Sequence, residues 1–276
     1  MRIAIQGEQG SFHQAAAEVW FGKDIELVCC TTFDMAFDAL QSGVADMAVI
    51  AIENSLAGSL HRVYDLLLKT HAHIVGELYQ HIHQCLIGLP NAPLDGITHV
   101  YSQPIALAQC SNYLTTALPK VQVVEYHDTT ASVMLVKEKN DPHLAAIAGS
   151  FAADVVGLSV LKENIEDNRH NFTRFLVLDL KDNVPDGANK TSFVLETSHE
   201  PGALQRALSI LANASVNLTK LESRPIPNEP WHYQFFLDVD IAGAILQTCI
   251  ATLEDQGCQV RILGEYVSNV DLDADI

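Results

Sequence analysis

The sequence predicts an α/β protein followed by a ferredoxin-like C-terminal domain. Three observations carry that prediction. Strand and helix signals alternate over the first 180 residues. A polar, turn-rich stretch at 181–188 interrupts the alternation and reads as an interdomain linker. Beyond it the order becomes strand, helix, strand, strand, helix, strand, which is the ferredoxin-like arrangement.

Residues 2–6 read as a strand that ends in a turn at Gly7 and Gly10. Ser11, followed three residues on by Gln14, is a capping box opening a helix over 12–20. Thr31 with Asp34 starts the next helix, whose Phe33, Ala36, Phe37 and Leu40 fall on one face. Gly43 stands where a helix closes in the left-handed conformation. The apolar run 46–52 fits a central strand covered on both faces, and a helix over about 60–70 follows. Strands are predicted at 81–89, 98–101, 121–126 and 144–148, with helices at 104–116, 129–138 and 150–156. Pro104 suits a first helical turn, where its missing N–H costs nothing. The chain returns through 159–161 and 172–180.

In the C-terminal part, strands are predicted at 190–197, 217–224, 231–240 and 258–267, with helices at 201–213 and 242–256. Leu204, Ala207, Leu208 and Leu211 form the apolar stripe of the first of these helices. The acidic tail 269–276 is expected to fray.

A formal charge of -18 repels nucleic-acid phosphates and anionic lipid heads, so neither is expected as a partner. It also means that any anion site needs locally concentrated donors. The chain opens directly on a strand pattern, with no secretory signal, and its longest apolar stretch, 45–52, is too short to span a bilayer. The six cysteines form no C-x-x-C and read as reduced thiols. A cytoplasmic location is the expectation.

Nucleotide, zinc-protease and serine-hydrolase motifs are missing. The pairs His71/His73 and His81/His83 have strand spacing but no matching cysteine or carboxylate, so no metal site is expected. Four loops follow strand-like segments, where α/β proteins hold ligands. They are Gly7–Phe12, Glu53-Asn54-Ser55-Leu56-Ala57-Gly58, Ser102-Gln103-Pro104 and Asp128-Thr129-Thr130. The first, third and fourth read equally as capped turns or helix caps. The second places a carboxylate, an amide and a hydroxyl at the end of a buried strand, which packing does not explain. In Asn171-Phe172-Thr173-Arg174-Phe175, the arginine either snorkels to the surface or forks onto a carboxylate.

Taken together and in order, these pieces resemble the prephenate dehydratase family along nearly the whole chain. The resemblance is carried by Gly7-x-x-Gly10-Ser11-Phe12, Ile52-Glu53-Asn54-Ser55-x-x-Gly58, Ala106-Leu107-Ala108-Gln109-Cys110, Asn164-Ile165-x-Asp167 and Asn171-x-Thr173-Arg174-Phe175. The C-terminal part is similar to the family's ACT domains through Pro201-Gly202-Ala203-Leu204 and Glu222-Ser223-Arg224-Pro225. The resemblance implies a catalytic domain over 1–180, shaped like a periplasmic binding protein, with its site between two lobes. Lobe one would take about 1–79 plus 160–180, and lobe two about 80–159. A linker at 181–189 and an ACT regulatory domain at 190–270 would follow.

The activity implied is conversion of prephenate to phenylpyruvate, water and carbon dioxide, with no cofactor or metal. Phenylalanine would inhibit by binding between paired subunits, in a homodimer or homotetramer, at Gly202, Ala203, Leu204, Glu222, Ser223, Arg224 and Pro225. Thr173 would stand near the leaving hydroxyl, with Glu53 as a candidate proton source. Arg174 would anchor the side-chain carboxylate. Ser11, Asn54, Ser55, Thr129, Thr130, Asn171 and Phe175 would complete the substrate site. Other readings are an arogenate dehydratase and a non-catalytic small-acid sensor.

Two departures from the family pattern stand out. Gln103 and Ile105 replace a usual histidine and glutamine, which removes them from the expected contacts, and Ala51 replaces a usual proline. A regular strand over 171–175 would put Asn171, Thr173 and Phe175 on one face and Arg174 on the other. Joint use of Thr173 and Arg174 in one cleft therefore requires an irregular backbone there, and that is the expectation.

Overall fold

The structure, a computed structural model, describes residues 1–268, so the tail expected to fray lies outside the described residues. It divides into two compact units, Met1–Thr70 with Leu78–Phe175, and His71–Glu77 with the described residues from Leu176 onward.

The first unit begins with β1 (Arg2–Gln6), α1 (Phe12–Phe21), β2 (Glu26–Cys30), α2 (Phe33–Gln41), β3 (Met47–Asn54), β4 (Gly58–Ser59) and α3 (His61–Lys69). β1 pairs in parallel with both β2 and β3. β3 is apolar throughout its middle because Ala48 to Ile52 are all buried. Ser11 Oγ accepts the Gln14 N–H at 3.3 Å, while Gln14 Oε1 reaches back to the Gly10 N–H at 2.7 Å. The reciprocal cap thus closes one residue earlier than a standard capping box. The second helix starts at Thr32, whose hydroxyl oxygen accepts the Met35 N–H; Asp34 instead forks with Arg62.

β5 (His73–His81) is followed by β6 (Cys85–Gly88), β7 (His99–Ser102), α4 (Pro104–Gln109), α5 (Ser111–Ala117), β8 (Gln122–Glu125), α6 (Thr129–Lys139), β9 (Leu144–Ala148), α7 (Ser150–Val156) and β10 (Ser159–Lys162). The second sheet has the order β10-β6-β9-β7-β8. Its central β9 is apolar at every position because it feeds two cores. Ala145 and Ile147 pack with Leu107 and Leu114, whereas Ala146 and Ala148 pack with Val133 and Ala152. β11 (Phe172–Asp179) then returns to the first sheet, giving β2-β1-β3-β11-β5.

Two predicted elements are broken in the structure, each by a distant carboxylate. The strand predicted over 81–89 is interrupted between β5 and β6, where the Gln84 N–H turns to Glu166 Oε2 at 2.9 Å and its carbonyl accepts from Ile165. The helix predicted over 104–116 divides at Cys110. Asp167 accepts the Ser111 hydroxyl at 3.0 Å and the Asn112 N–H at 3.1 Å, capping a new helix start.

The second unit completes itself with β12 (Lys190–Glu196), α8 (Ala203–Asn213), β13 (Leu218–Pro225), β14 (Tyr233–Val239), α9 (Ala244–Asp255) and β15 (Gln259–Tyr266). This is the βαββαβ order, in an antiparallel sheet arranged β13-β14-β12-β15. Phe193, Leu195, Leu237 and Val239 share one core with Leu211, Leu246 and Leu253. Gly264 lies against the 71–77 segment, and a Cβ there would come within 1.9 Å of the Ile74 carbonyl oxygen. Among the described residues no helix is long and apolar enough to cross a membrane.

Candidate active site

All four loops singled out in the sequence converge on one cavity of about 310 Å³ in the first unit. Ser11 and Phe12 come from the end of β1, Asn54 and Ala57 from the end of β3, Gln103 from the end of β7, and Asp128 with Thr129 from the start of α6. The β1 loop approaches α6 and α7 closely. Thr130, fully buried, donates to the Gly10 carbonyl at 3.0 Å, and a Cβ on Gly10 would meet Ala152 at 3.1 Å. Gly10 also has a φ of +90°, so glycine is favoured there on both counts. Thr130 therefore fixes the wall from behind, while Thr129 lines it.

The seam between β3 and β11 is the most highly connected part of the site. Asn54 Oδ1 accepts the Leu56 and Ala57 N–H groups at 3.0 and 2.9 Å, which fixes the orientation of its amide. Its Nδ2 then faces Asn171 Oδ1 at 2.7 Å, the Phe172 carbonyl at 3.1 Å and Thr173 Oγ1 at 3.0 Å. Ser55 donates its hydroxyl to the His170 carbonyl and accepts the Phe172 N–H, so it clamps the two segments together. Thr173 oxygen already accepts from Asn54, and its own O–H is left to donate. Thr173 and Phe175 line the cavity.

The irregular backbone expected over 171–175 is absent, because β11 is a continuous strand from Phe172 to Asp179. Arg174 accordingly alternates away from Thr173; it is 5% exposed and is not part of the cavity wall. Glu53 does not line the cavity either; its backbone pairs with Ser59 in the short β3–β4 ladder. Gln103 and Ile105, set aside on sequence grounds, do line it.

Several wall residues escaped the sequence reading. His13 is buried, accepts the Ala51 N–H on Nε2 at 3.2 Å, and meets the Phe175 ring edge-on at 5.0 Å. Burial lowers its pKa to about 3, so the ring is neutral. Gln84 and Gln109 line the cavity together, the Gln84 amide donating to Gln109 Oε1 at 3.4 Å. Gln109 had a signal, since it lies in one of the family-like stretches. His13 and Gln84 had none.

A profile of the prephenate dehydratase family matches residues 3–183. The chain belongs to the prephenate dehydratase family. It is 37% identical over 286 residues to arogenate dehydratase 5 of Arabidopsis thaliana, covering 96% of this chain and 67% of that longer protein. The structure of a prephenate dehydratase from Arthrobacter aurescens in complex with L-Phe superposes with a TM-score of 0.88 at 31% identity, over 97% of this chain and 90% of that one. A quorum-quenching acylase superposes with a TM-score of 0.89 at 30% identity, over 98% and 99% of the two chains. As a family member, this prephenate dehydratase homologue carries its second cavity, about 880 Å³, in the ferredoxin-like domain. Gly202, Ala203 and Leu204 line that cavity, whereas Glu222, Ser223, Arg224 and Pro225 lie in the edge strand β13 outside its wall.

Proposed function

We propose that the chain is a lyase converting prephenate to phenylpyruvate, with loss of water and carbon dioxide. The observation that carries this reading is the Asn54–Thr173 pair at the cavity wall. Asn54 occupies an acceptor site of the Thr173 oxygen at 3.0 Å, which directs the hydroxyl proton elsewhere. In the reaction the bond from the ring to its carboxylate breaks, its electron pair enters the ring, and hydroxide departs from the opposite carbon. One proton, drawn from solvent, converts that hydroxide to water. An alcohol is far too weak an acid to supply this proton alone, so Thr173 stabilises the departing oxygen by a hydrogen bond. Amides and hydroxyls around the departing carboxylate bind it without the strong pairing that would favour the ground state. Asn171 and Ser55 hold this arrangement, and Arg174 supports β11 from its other face.

Arogenate, the aminated analogue, undergoes the same bond changes to give phenylalanine and is the alternative substrate. The ferredoxin-like domain is read as an ACT domain that takes phenylalanine as a feedback effector, with Gly202, Ala203 and Leu204 lining the cavity. The likeness to the L-Phe complex supports this reading. Pairing of subunits would add Glu222, Ser223, Arg224 and Pro225.

The test is phenylpyruvate formation from prephenate. Wild type should turn over and be slowed by added phenylalanine. Thr173→Ala should lower kcat by about 10²–10³ with little change in KM, and Thr173→Ser should recover much of the loss. No product from either prephenate or arogenate at high enzyme concentration would sink the catalytic reading.

A further inference from the structure

Among the residues lining the catalytic cavity there is no lysine or arginine. Its ionisable groups are His13, neutral because burial lowers its pKa to about 3, and Asp128. The one fixed charge among the lining residues is therefore negative. Asp128 Oδ1 is committed to the start of α6, accepting the Ala131 N–H at 2.9 Å. Oδ2 takes no hydrogen bond from any described residue, and it is turned toward the β1 loop, where a Cβ on Gly7 would lie 3.8 Å from it. A second acceptor stands in the same wall. Gln84 is 3% exposed and its Oε1 has no partner. Buried polar atoms are nearly always satisfied, so an orphan acceptor in a ligand cavity points to a donor on the ligand.

Prephenate and arogenate share the ring, its hydroxyl and both carboxylates. They differ where prephenate has a keto oxygen, an acceptor, and arogenate has an ammonium, a cation with three donors. A dianion gains nothing from an unpaired carboxylate beside it, whereas an ammonium gains a charge-assisted hydrogen bond. We propose that Asp128 is the specificity-determining residue of this cavity, pairing through Oδ2 with the α-ammonium of arogenate, with Gln84 Oε1 as a second acceptor. The chain then takes arogenate with a higher kcat/KM than prephenate. This rests on the dehydratase reading above.

Asp128 also caps α6, so the informative variants keep the cap and remove the charge. Asparagine and serine are both good N-caps. Wild type, Asp128→Asn and Asp128→Ser are assayed for phenylalanine formed from arogenate and phenylpyruvate formed from prephenate, with thermal melting as the check on folding. Wild type should favour arogenate. The ratio of the two kcat/KM values should fall by about 10- to 100-fold in both variants, through the KM for arogenate, since a hydrogen bond to a charged group is worth that much. An unchanged ratio in the folded variants would overturn the proposal and leave Asp128 as a cap. Wild type that consumes prephenate but not arogenate would overturn it while leaving the dehydratase reading intact. Turnover of neither substrate would remove that reading and this proposal together.

Discussion

His13 makes its role through contacts that its neighbours in the chain do not reveal. It lies on the buried face of α1, and its ring nitrogen accepts the Ala51 N–H across a sequence separation of 38 residues. Histidine on an apolar helix face carries no signal for such a contact, which explains why it escaped while Ser11, two residues earlier, did not. Asn54 was legible for the opposite reason, since a short polar side chain at the end of a buried apolar run has no packing explanation, whereas Thr173 was picked out only by the resemblance to the family. The neutral state of His13 has a consequence for stability. Its folded pKa is lowered from 6.5 to about 3, so between those values the unfolded chain binds a proton that the folded chain refuses. Stability from this residue is complete above pH 6.5 and is lost as pH falls toward 3. At pH 4.5 the loss is roughly 3 kcal/mol. Urea unfolding from pH 7 to pH 4.5 should show this acid limb, and His13→Gln should flatten it; an identical limb in the variant would remove His13 as its source.

At the scale of elements, the strands buried on both faces were read almost residue for residue. β9 was predicted at 144–148 and is found at Leu144–Ala148, because a continuous apolar run can satisfy two cores at once. The errors at 81–89 and 104–116 share a cause. Local pattern favours continuing the element, and Glu166 and Asp167, far away in sequence, offer the backbone a better partner. β11 was misjudged in the other direction. Its first residues were expected to bend so that Thr173 and Arg174 could share a cleft, but strand alternation holds and Arg174 is buried on the far face. Arg174→Leu should therefore act on the fold before it acts on binding. Leaving buried partners of the guanidinium unsatisfied costs about 1–3 kcal/mol, which thermal melting would register as a clear fall in Tm. A variant with the wild-type Tm and only a raised KM would return Arg174 to the role of substrate anchor.

At the scale of the whole chain, β5 and β11 each belong partly to the cavity-bearing unit and partly to the unit that contains the ferredoxin-like domain. The division at 180 suggested by the linker is thus shared with two strands that lie before it, which no composition shift could reveal. Within the second unit, the first part of β5 is fixed by a buried ion pair. Lys190 Nζ stands 2.8 Å from Glu77 Oε1, with side-chain exposures of 4% and 0%. The Ser268 hydroxyl donates to the same oxygen at 2.5 Å. Seven residues beyond Glu77 in the sequence, Gln84 enters the cavity wall. A buried pair of this kind adds little net stability over an apolar pair, but losing one partner strands the other charge in the interior. Lys190→Met should cost roughly 3–5 kcal/mol, because removing the ammonium takes a charge partner from the buried Glu77 carboxylate. Lys190→Met combined with Glu77→Leu should recover much of that loss, since both members of the pair are then replaced together. Denaturant melts of the wild type, the two single variants and the double variant close the cycle. If the double variant is as unstable as Lys190→Met alone, the cost lies in packing around residue 190 and not in the stranded carboxylate.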